Sequence, residues 1–190
     1  MEDFLHKKIH KIEGPIFIFG ASGFIGSNLL SKILKYRKDC YGITRDSENS
    51  WRLNFLQVPK ENVIDCDILN LNSLTKIFEN FKPKTIFNLA AYGAYSKQSD
   101  FKLIYETNII GLLNILEISN NVKVLINAGS SSEYGLNCDR PLESEELKPN
   151  SHYSISKITA SYLIYYYSNF YNLLCLNLRL YSVYGPLEEP

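Results

Sequence analysis

A glycine-rich turn between an apolar run and an amphipathic stretch is the feature that most limits the fold of this chain. The apolar run Ile16–Phe19 leads directly into Gly20, Gly23 and Gly26, and an amphipathic stretch begins around Phe24. Glycines at this spacing permit a tight turn, close approach of the backbone to a pyrophosphate, and close packing of a helix on a strand. The N-terminus of the following helix presents free N–H groups and a positive dipole to an anion. The sequence therefore predicts a strand–turn–helix unit that binds the phosphates of a dinucleotide.

Apolar runs alternate with longer amphipathic stretches along the rest of the chain. We predict strands at residues 15–20, 40–44, 62–66, 84–90, 122–128 and 173–180, and helices at residues 24–37, 72–81, 100–120 and 152–171. Each helix is long enough to cross a sheet face and return the chain parallel to the preceding strand. The pattern predicts an α/β fold of the Rossmann type, a doubly wound parallel sheet with helices on both faces.

Length and charge exclude several classes of protein. With 190 residues we expect one dinucleotide-binding domain at 15–190, preceded by an N-terminal extension at 1–14. Twenty Lys and Arg balance twenty Asp and Glu, so no overall field attracts nucleic acid or an anionic membrane. The first residues are too charged for a signal peptide, and the run Ile16–Phe19 is too short to span a membrane. We therefore expect a cytoplasmic protein without a nucleic-acid or membrane partner.

The four cysteines are scattered along the chain. Cys40, Cys66, Cys138 and Cys175, with three histidines, give no metal-ligand spacing. We expect reduced, largely buried thiols and no metal site.

The end of the second strand predicts the cofactor. An acidic residue there bonds the 2′-hydroxyl of NAD, whereas an arginine accepts the 2′-phosphate of NADP. The residue here is Arg45, so we expect NADP, with NAD possible and Arg52 assisting; a solvated surface arginine is the simpler alternative. Asp65 and Asp67 flank Cys66, and their carboxylates can cap the next helix or accept a hydrogen bond from the adenine amino group. We expect the adenine role for Asp67.

A tyrosine and a lysine four residues apart predict proton-transfer chemistry. Tyr153 and Lys157 would lie on one face of the last helix, so that one ligand can touch both. Positive charge from Lys157 and an oxidised nicotinamide ring would lower the phenol pKa from its reference near 10. Tyr153 would then exchange a proton with a substrate oxygen while hydride moves. The pair alone also fits an ordinary amphipathic helix, but the glycine turn and the serines after the fifth strand favour the catalytic interpretation.

The combined motifs resemble the extended short-chain dehydrogenase/reductases, a family of NAD(P)-dependent nucleotide-sugar epimerases, dehydratases and reductases. The resemblance rests on GASGFIG at 20–26, DCD at 65–67, NLAA at 88–91, TN at 107–108, SSSEYG at 130–135, YSISK at 153–157 and LRLYSVYGP at 178–186. It implies an enzyme that acts on a nucleotide sugar and forms a homodimer through helices 100–120 and 152–171.

The resemblance also implies roles for individual residues. The cofactor-binding residues would be Gly20, Ser22, Gly23, Phe24, Ile25, Gly26, Arg45, Asp67, Ile68, Leu89, Ala90, Ala91, Asn108, Tyr153 and Lys157. Lys157 would hold the nicotinamide ribose, and Tyr153 would be the acid/base. Ser130 would bond the substrate oxygen, with Ser131 in that role if the loop is shifted by one residue.

The serines after the fifth strand bear on the reaction. The 4,6-dehydratases of the family follow their catalytic threonine with an acidic pair or a Ser-Glu pair, whereas this chain has Ser131 and Ser132, and Glu133 comes one position later. We therefore expect 4-epimerisation or reduction of a 4-keto sugar, and Arg45 favours reduction. A 4,6-dehydratase and a catalytically silent dinucleotide sensor are the alternatives. Ser182 replaces the usual Asn of the last motif.

Family members continue well beyond Pro186. We therefore expect a truncated chain that lacks the C-terminal substrate lobe.

Overall fold

The sheet has six parallel strands. The computed structural model describes residues 2–95, 97–137, 139–171 and 173–188, with side chains from residue 4 onward. The strands are β1 Ile16–Phe19, β2 Cys40–Thr44, β3 Val63–Asp65, β4 Thr85–Asn88, β5 Val124–Ser130 and β6 Leu174–Leu180. They lie in the order β3-β2-β1-β4-β5-β6, and every pairing is parallel. The predicted doubly wound parallel sheet is confirmed.

Helices cover both faces of the sheet, as predicted. They are α1 Glu2–His10, α2 Phe24–Leu34, α3 Trp51–Phe55, α4 Leu71–Phe81, α5 Phe101–Tyr105, α6 Gly111–Glu117 and α7 His152–Phe170. A π-helical turn, Glu106–Ile110, joins α5 to α6, and short 3-10 turns span Lys60–Asn62 and Ser131–Glu133. The predicted helix at 100–120 is therefore interrupted by a wider turn.

The core lies on the two sides of β1. Its side chains alternate between faces: Ile16 and Ile18 pack with helix α2, whereas Phe17 and Phe19 pack with residues of α4, α6 and α7. All four are fully buried, which explains why the strand is an unbroken apolar run. Truncating Phe17 to alanine is expected to cost about 3–5 kcal/mol of stability.

The N-terminal segment contributes to this core. Helix α1 was not predicted, yet its residue Ile9 is 7% exposed and packs with Ile16 and Ile18. Arg37 also donates a hydrogen bond to the Ile9 carbonyl at 3.2 Å. The division into residues 1–14 and 15–190 stays a prediction, but the first segment packs against the sheet domain.

The crossing directions of the chain place the candidate site. After β1 the chain turns into α2 on one face, and after the adjacent β4 it continues into α5 and α6 on the other. Strands that send the chain to opposite faces leave a crevice at their carboxyl ends, where ligands of open α/β sheets bind.

Cys40, Cys66 and Cys175 are free and buried, as expected; Cys138 lies outside the described residues. Burial raises the pKa of the Cys40 thiol to about 12 and that of Cys175 to about 11. Among the described residues there is no group of three or more His, Cys, Asp or Glu side chains placed to hold a metal ion. None of the helices in the described segments combines the length and apolar character of a membrane span.

Candidate active site

The glycine turn closes tightly between β1 and α2. Gly20 has a φ of +74°, which favours glycine, and Gly23 donates its N–H to the Gly20 carbonyl at 3.0 Å. A Cβ at Gly26 would lie 2.2 Å from that carbonyl oxygen, so the helix can approach the turn only without a side chain. No side chain caps the helix at Gly23. The first N–H groups of α2 therefore remain available to an anion, and the turn fits the pyrophosphate of a dinucleotide.

Two cavities meet at this turn. The first, of about 160 Å³, contains Arg45 and is called the Arg45 cavity. The second, of about 380 Å³, contains Tyr153 and is called the Tyr153 cavity. Gly20, Gly23, Leu89 and Ala91 line both, so the two form the ends of one crevice. A crevice with the glycine turn at its middle fits a dinucleotide, because the phosphates of a dinucleotide lie at its centre.

Almost every residue predicted for the site lines one of these cavities. Besides the shared residues, the Arg45 cavity is lined by Ser22, Arg45, Asp67, Ile68 and Ala90. The Tyr153 cavity is lined by Phe24, Ile25, Gly26, Ser130, Ser131, Tyr153 and Lys157. Tyr92 and Thr107 in the first cavity, and Tyr95, Tyr181 and Ser182 in the second, were not predicted as site residues. The segment of 92–95 follows β4 directly, and its position after a central strand was the available signal.

Tyr153, Lys157 and Ser130 lie together in the Tyr153 cavity. Ser151 caps helix α7 in a capping box with Ser154, which fixes the first turn that carries Tyr153. The Lys157 ammonium lies 5.6 Å from the centre of the Tyr153 ring and donates to the Ala128 carbonyl at 2.9 Å. Lys157 is 4% exposed, and this burial lowers its pKa to about 8.

The pKa of the Tyr153 phenol differs from the expectation. Burial raises the pKa of Tyr153 above its ordinary value; a hydrogen bond with Ser130 lowers it, and the charge of Glu133 raises it. Lys157 was expected to lower this pKa, but burial outweighs the favourable interactions in the protein without ligand. A lowered pKa at Tyr153 therefore requires a further positive charge in the cavity.

Asn108 has a different environment from the one predicted. It is 4% exposed and lines neither cavity. Its amide accepts from the Tyr92 N–H at 2.8 Å and donates to the Tyr92 carbonyl and the Ser156 hydroxyl, both at 2.9 Å. The predicted direct contact with the cofactor is not supported by this geometry, because both N–H donors of the amide are used and the side chain lines neither cavity. Asn108 instead ties the π-helical turn to the loop after β4 and to α7.

The charged side chains predicted to bind the adenosine end of the cofactor have different surroundings. Arg45 is exposed in its cavity and makes no ion pair or hydrogen bond within the described part of the chain. Arg52 is 7% exposed, and its Nε donates to the Leu187 carbonyl at 2.8 Å, outside the Arg45 cavity. Asp67 accepts from the Leu69 N–H at 2.9 Å, whereas Asn70 caps α4. Capping of that helix by Asp67 is therefore excluded, and its carboxylate lines the cavity.

Sequence comparison identifies the family of this fold and site. Residues 16–190 match the model of the NAD dependent epimerase/dehydratase family. The chain belongs to this family. Protein CapI of Staphylococcus aureus is 35% identical over 189 residues, covering 92% of this chain and 56% of CapI. A UDP-glucuronate 4-epimerase of Thermodesulfobacterium geofontis is 32% identical over 190 residues, covering 93% of this chain and 58% of its own length.

Solved structures of the epimerase/dehydratase family have the same fold. The UDP-glucose 4-epimerase of Thermus thermophilus, in complex with NAD, matches with a TM-score of 0.82 at 27% identity, covering 92% of this chain and 57% of that one. The dTDP-glucose 4,6-dehydratase of Bacillus anthracis, also in complex with NAD, matches with a TM-score of 0.76 at 28% identity, with the same coverage of both chains. This chain therefore spans little more than half the length of these four relatives.

Glu133 lies beside this site, and sequence reasoning missed its contacts. It is fully buried, and its Oε2 accepts from the Arg179 Nε at 2.8 Å. Its Oε1 accepts from the Ser130 N–H at 2.9 Å and from the Asn177 amide at 3.2 Å. No local pattern indicated these contacts, because Asn177 and Arg179 lie on β6, more than forty residues away.

Proposed function

We propose that this chain carries the cofactor-binding and proton-transfer part of an NAD(P)-dependent nucleotide-sugar 4-epimerase. The main support is the Tyr153 cavity, in which the glycine turn, Ser130, Tyr153 and Lys157 face one space. A sugar carbon placed there meets a hydride partner and a proton partner together. Similarity to proteins named as 4-epimerases supports the same reaction class.

The protein's own residues would manage the proton. Tyr153 would take the proton of the sugar hydroxyl at its phenolic oxygen and return it to the keto oxygen once the opposite configuration forms. The Ser130 hydroxyl would bond that same oxygen, and the Lys157 ammonium would hold the ribose beside the ring. A bound nicotinamide supplies the hydride partner and, when oxidised, the positive charge that the buried phenol lacks.

The position of Glu133 supports epimerisation over dehydration. Elimination of water needs an additional acid and base beside the sugar. A dehydratase would place this acid and base at the positions of Ser131 and Ser132, which line the Tyr153 cavity. Glu133 is instead turned into the protein toward Arg179. A buried carboxylate paired with a guanidinium is poorly placed to move protons on a substrate.

The position of Arg45 favours a second candidate function, the reduction of a 4-keto sugar with NADPH. Arg45 projects into its cavity without an ion pair in the described chain, and a guanidinium binds a 2′-phosphate through charge-assisted hydrogen bonds. We therefore propose NADP as the preferred cofactor. Reductive biosynthesis commonly uses NADPH.

The cofactor proposal predicts a change of preference in Arg45→Glu. Losing a charge-assisted contact is expected to weaken NADP binding about tenfold or more, while NAD binding stays the same or improves. Isothermal titration of both cofactors measures this, with Arg140→Glu, a surface arginine that is 97% exposed, as the matched control. Equal loss for both cofactors, or none for NADP, would contradict the proposal.

The reaction is tested with UDP-glucose and UDP-glucuronate in the presence of either cofactor. An epimerase converts the sugar without net consumption of cofactor, whereas a reductase consumes one NADPH for each 4-keto sugar reduced. Tyr153→Phe is expected to lower turnover by at least about a hundredfold while binding cofactor normally. Turnover that is the same in Tyr153→Phe would refute the role of the phenol, and cofactor binding without any turnover in a version of the protein that carries the C-terminal substrate lobe would favour the silent sensor. A 4-keto-6-deoxy product would show a dehydratase instead.

A further inference from the structure

We propose that Glu133 is a positioning residue, which holds Ser130 toward Tyr153 and supplies the buried negative charge opposite Lys157. The proposal rests on the proposed function, because it assigns Ser130 and Lys157 their parts in that site. Glu133 itself touches neither cavity, so it acts only through these neighbours.

Glu133 fixes the backbone around Ser130. This residue ends β5 and caps the turn Ser131–Glu133, with its own Oγ accepting from the Ser132 N–H at 3.1 Å. Its backbone N–H donates to Glu133 at 2.9 Å, so the carboxylate fixes both the strand end and the turn. The Ser130 hydroxyl is then held in the cavity that Ser130 lines together with Tyr153, and its interaction with the phenol lowers the pKa of Tyr153.

The Glu133 carboxylate is held by two side chains of β6. Arg179 donates to Glu133 and also to the Tyr134 hydroxyl at 3.2 Å and the Glu143 carbonyl at 2.9 Å. Asn177 donates to the same carboxylate. Gly129 leaves the necessary room, since a Cβ there would lie 2.6 Å from the Glu133 Oε1 and from the Asn177 amide nitrogen.

Arg179 and Asn177, which donate to Glu133, are called the Glu133 clamp, and its hydrogen bonds continue across the sheet. Asn88, Asn127 and Asn177 occupy matching positions on β4, β5 and β6. Their amides form a chain, with Asn88 donating to Asn127 and Asn127 donating to Asn177, each at 2.8 Å. The orientation of Glu133 is thereby tied to three strands, which gives the Ser130 turn a rigid base.

Lys157 and Glu133 both bind the end of β5, where Lys157 donates to the Ala128 carbonyl at 2.9 Å and Glu133 accepts from the Ser130 N–H at 2.9 Å. Two buried ionised groups are costly unless they are compensated, and Glu133 favours the charged form of Lys157 and so raises its pKa. The charged and titratable groups on α7 besides Lys157 are His152, Tyr153, Tyr162, Tyr165, Tyr166 and Tyr167. The elements that pack against α7 carry Glu133 and Tyr134 after β5, Cys175 and Arg179 on β6, Lys102 and Tyr105 on α5, Glu106 on the π-helical turn, and Glu117 on α6. Arg179 is paired with Glu133, and Glu106 and Glu117 are exposed. Glu133 is therefore the buried negative charge of this neighbourhood.

The test uses two variants that separate charge from reach. Glu133→Gln removes the charge, so the midpoint of Lys157 titration, about 8 in the parent protein, is expected to move to lower pH. Glu133→Asp keeps the charge but withdraws it by one methylene, so that midpoint is expected to stay while exchange of the Ser130 amide hydrogen accelerates about tenfold or more. NMR titration of 13C-labelled lysine and amide hydrogen exchange measure these effects in the cofactor-free chain. Glu145→Gln, an exposed carboxylate of the same loop, is the control and is expected to change neither.

Several outcomes would overturn the proposal. An unchanged or raised Lys157 midpoint in Glu133→Gln removes the charge role, because general loosening would expose the lysine and raise its pKa. Unchanged Ser130 exchange in Glu133→Asp removes the positioning role. If both variants fail to fold while Glu145→Gln folds, Glu133 is a folding residue and the proposal is wrong. Failure of the parent chain to bind either dinucleotide would count against the proposed function alone, since both readouts are made without cofactor.

Discussion

Lys157 links the pH of the solution to the candidate cofactor site. Burial lowers its pKa to about 8, so the ammonium is present at neutral pH and is lost as the pH rises through that value. The charge is available for a ribose only below the midpoint. The site should therefore hold a dinucleotide best on the acidic side of pH 8.

This relation predicts a pH profile for cofactor binding. Affinity for NADP is expected to fall up to tenfold between about pH 7 and about pH 9, because a charge-assisted hydrogen bond becomes neutral. Fluorescence titration at a series of pH values measures it. Lys157→Met should bind more weakly and lose the step near pH 8; a parent protein whose affinity does not change across that range would contradict the assignment.

Residue-scale prediction from sequence was good where a motif is local and poor where contacts are distant. Tyr153 and Lys157 are one helical turn apart, so their spacing alone put them on one face. The hydrogen bonds of Glu133 depend on residues of β6, and those of the Asn108 amide depend in part on a residue of α7. No local sequence pattern encodes contacts between such distant segments. The raised pKa of Tyr153 was missed for the same reason, since burial is set by the whole fold.

At the scale of elements, the turn between β1 and α2 depends on one close contact. A Cβ at Gly26 would lie 2.2 Å from the Gly20 oxygen and 2.9 Å from the Ala21 Cα. A Cβ at Gly23 would lie 3.2 Å from the same oxygen and meet nothing else within van der Waals reach.

The difference predicts unequal effects of two alanine substitutions. Gly26→Ala is expected to destabilise the protein by about 1–3 kcal/mol and to abolish dinucleotide binding, because the backbone must move to relieve the overlap. Gly23→Ala should cost clearly less stability. Urea denaturation and cofactor titration of both variants measure this, and equal stability of the two would show that the turn is not as tight as described.

The elements themselves followed closely from sequence periodicity. All six strands and the helices of α2, α4 and α7 were predicted, because apolar runs and amphipathic stretches are direct consequences of burial. Helix α1 was missed because its charged sequence resembles a solvated extension and, among its described side chains, only that of Ile9 is strongly buried. The π-helical turn was missed because it is stabilised by Asn108 contacts across the fold rather than by local propensity.

At the scale of the whole molecule, helix α7 leaves an apolar stripe uncovered. Ile155, Tyr162, Tyr166 and Phe170 lie on one side of it and are 41%, 65%, 47% and 71% exposed. Exposed apolar stripes of this kind mark interaction surfaces. We propose that the stripe is the contact of a homodimer, the partner expected from the sequence.

The dimer proposal predicts dissociation by charge. Tyr162→Glu with Tyr166→Glu is expected to convert the dimer to a monomer with unchanged circular dichroism, since a desolvated carboxylate is costly in an apolar contact. Sedimentation velocity measures the mass, with Phe55→Glu, an exposed aromatic on α3, as the control. Dissociation by Leu176→Glu on the open face of β6, and not by the α7 pair, would place the contact elsewhere.

The central claim is that the Arg45 cavity and the Tyr153 cavity hold the two ends of one dinucleotide. The most direct measurement follows the side-chain NMR signals of Lys157 and Arg45 during titration with NADP⁺ and, separately, with adenosine 2′,5′-bisphosphate. We predict that NADP⁺ shifts both signals with the same binding constant, whereas the bisphosphate shifts Arg45 alone. A Lys157 signal that does not move at saturating NADP⁺ would contradict the account.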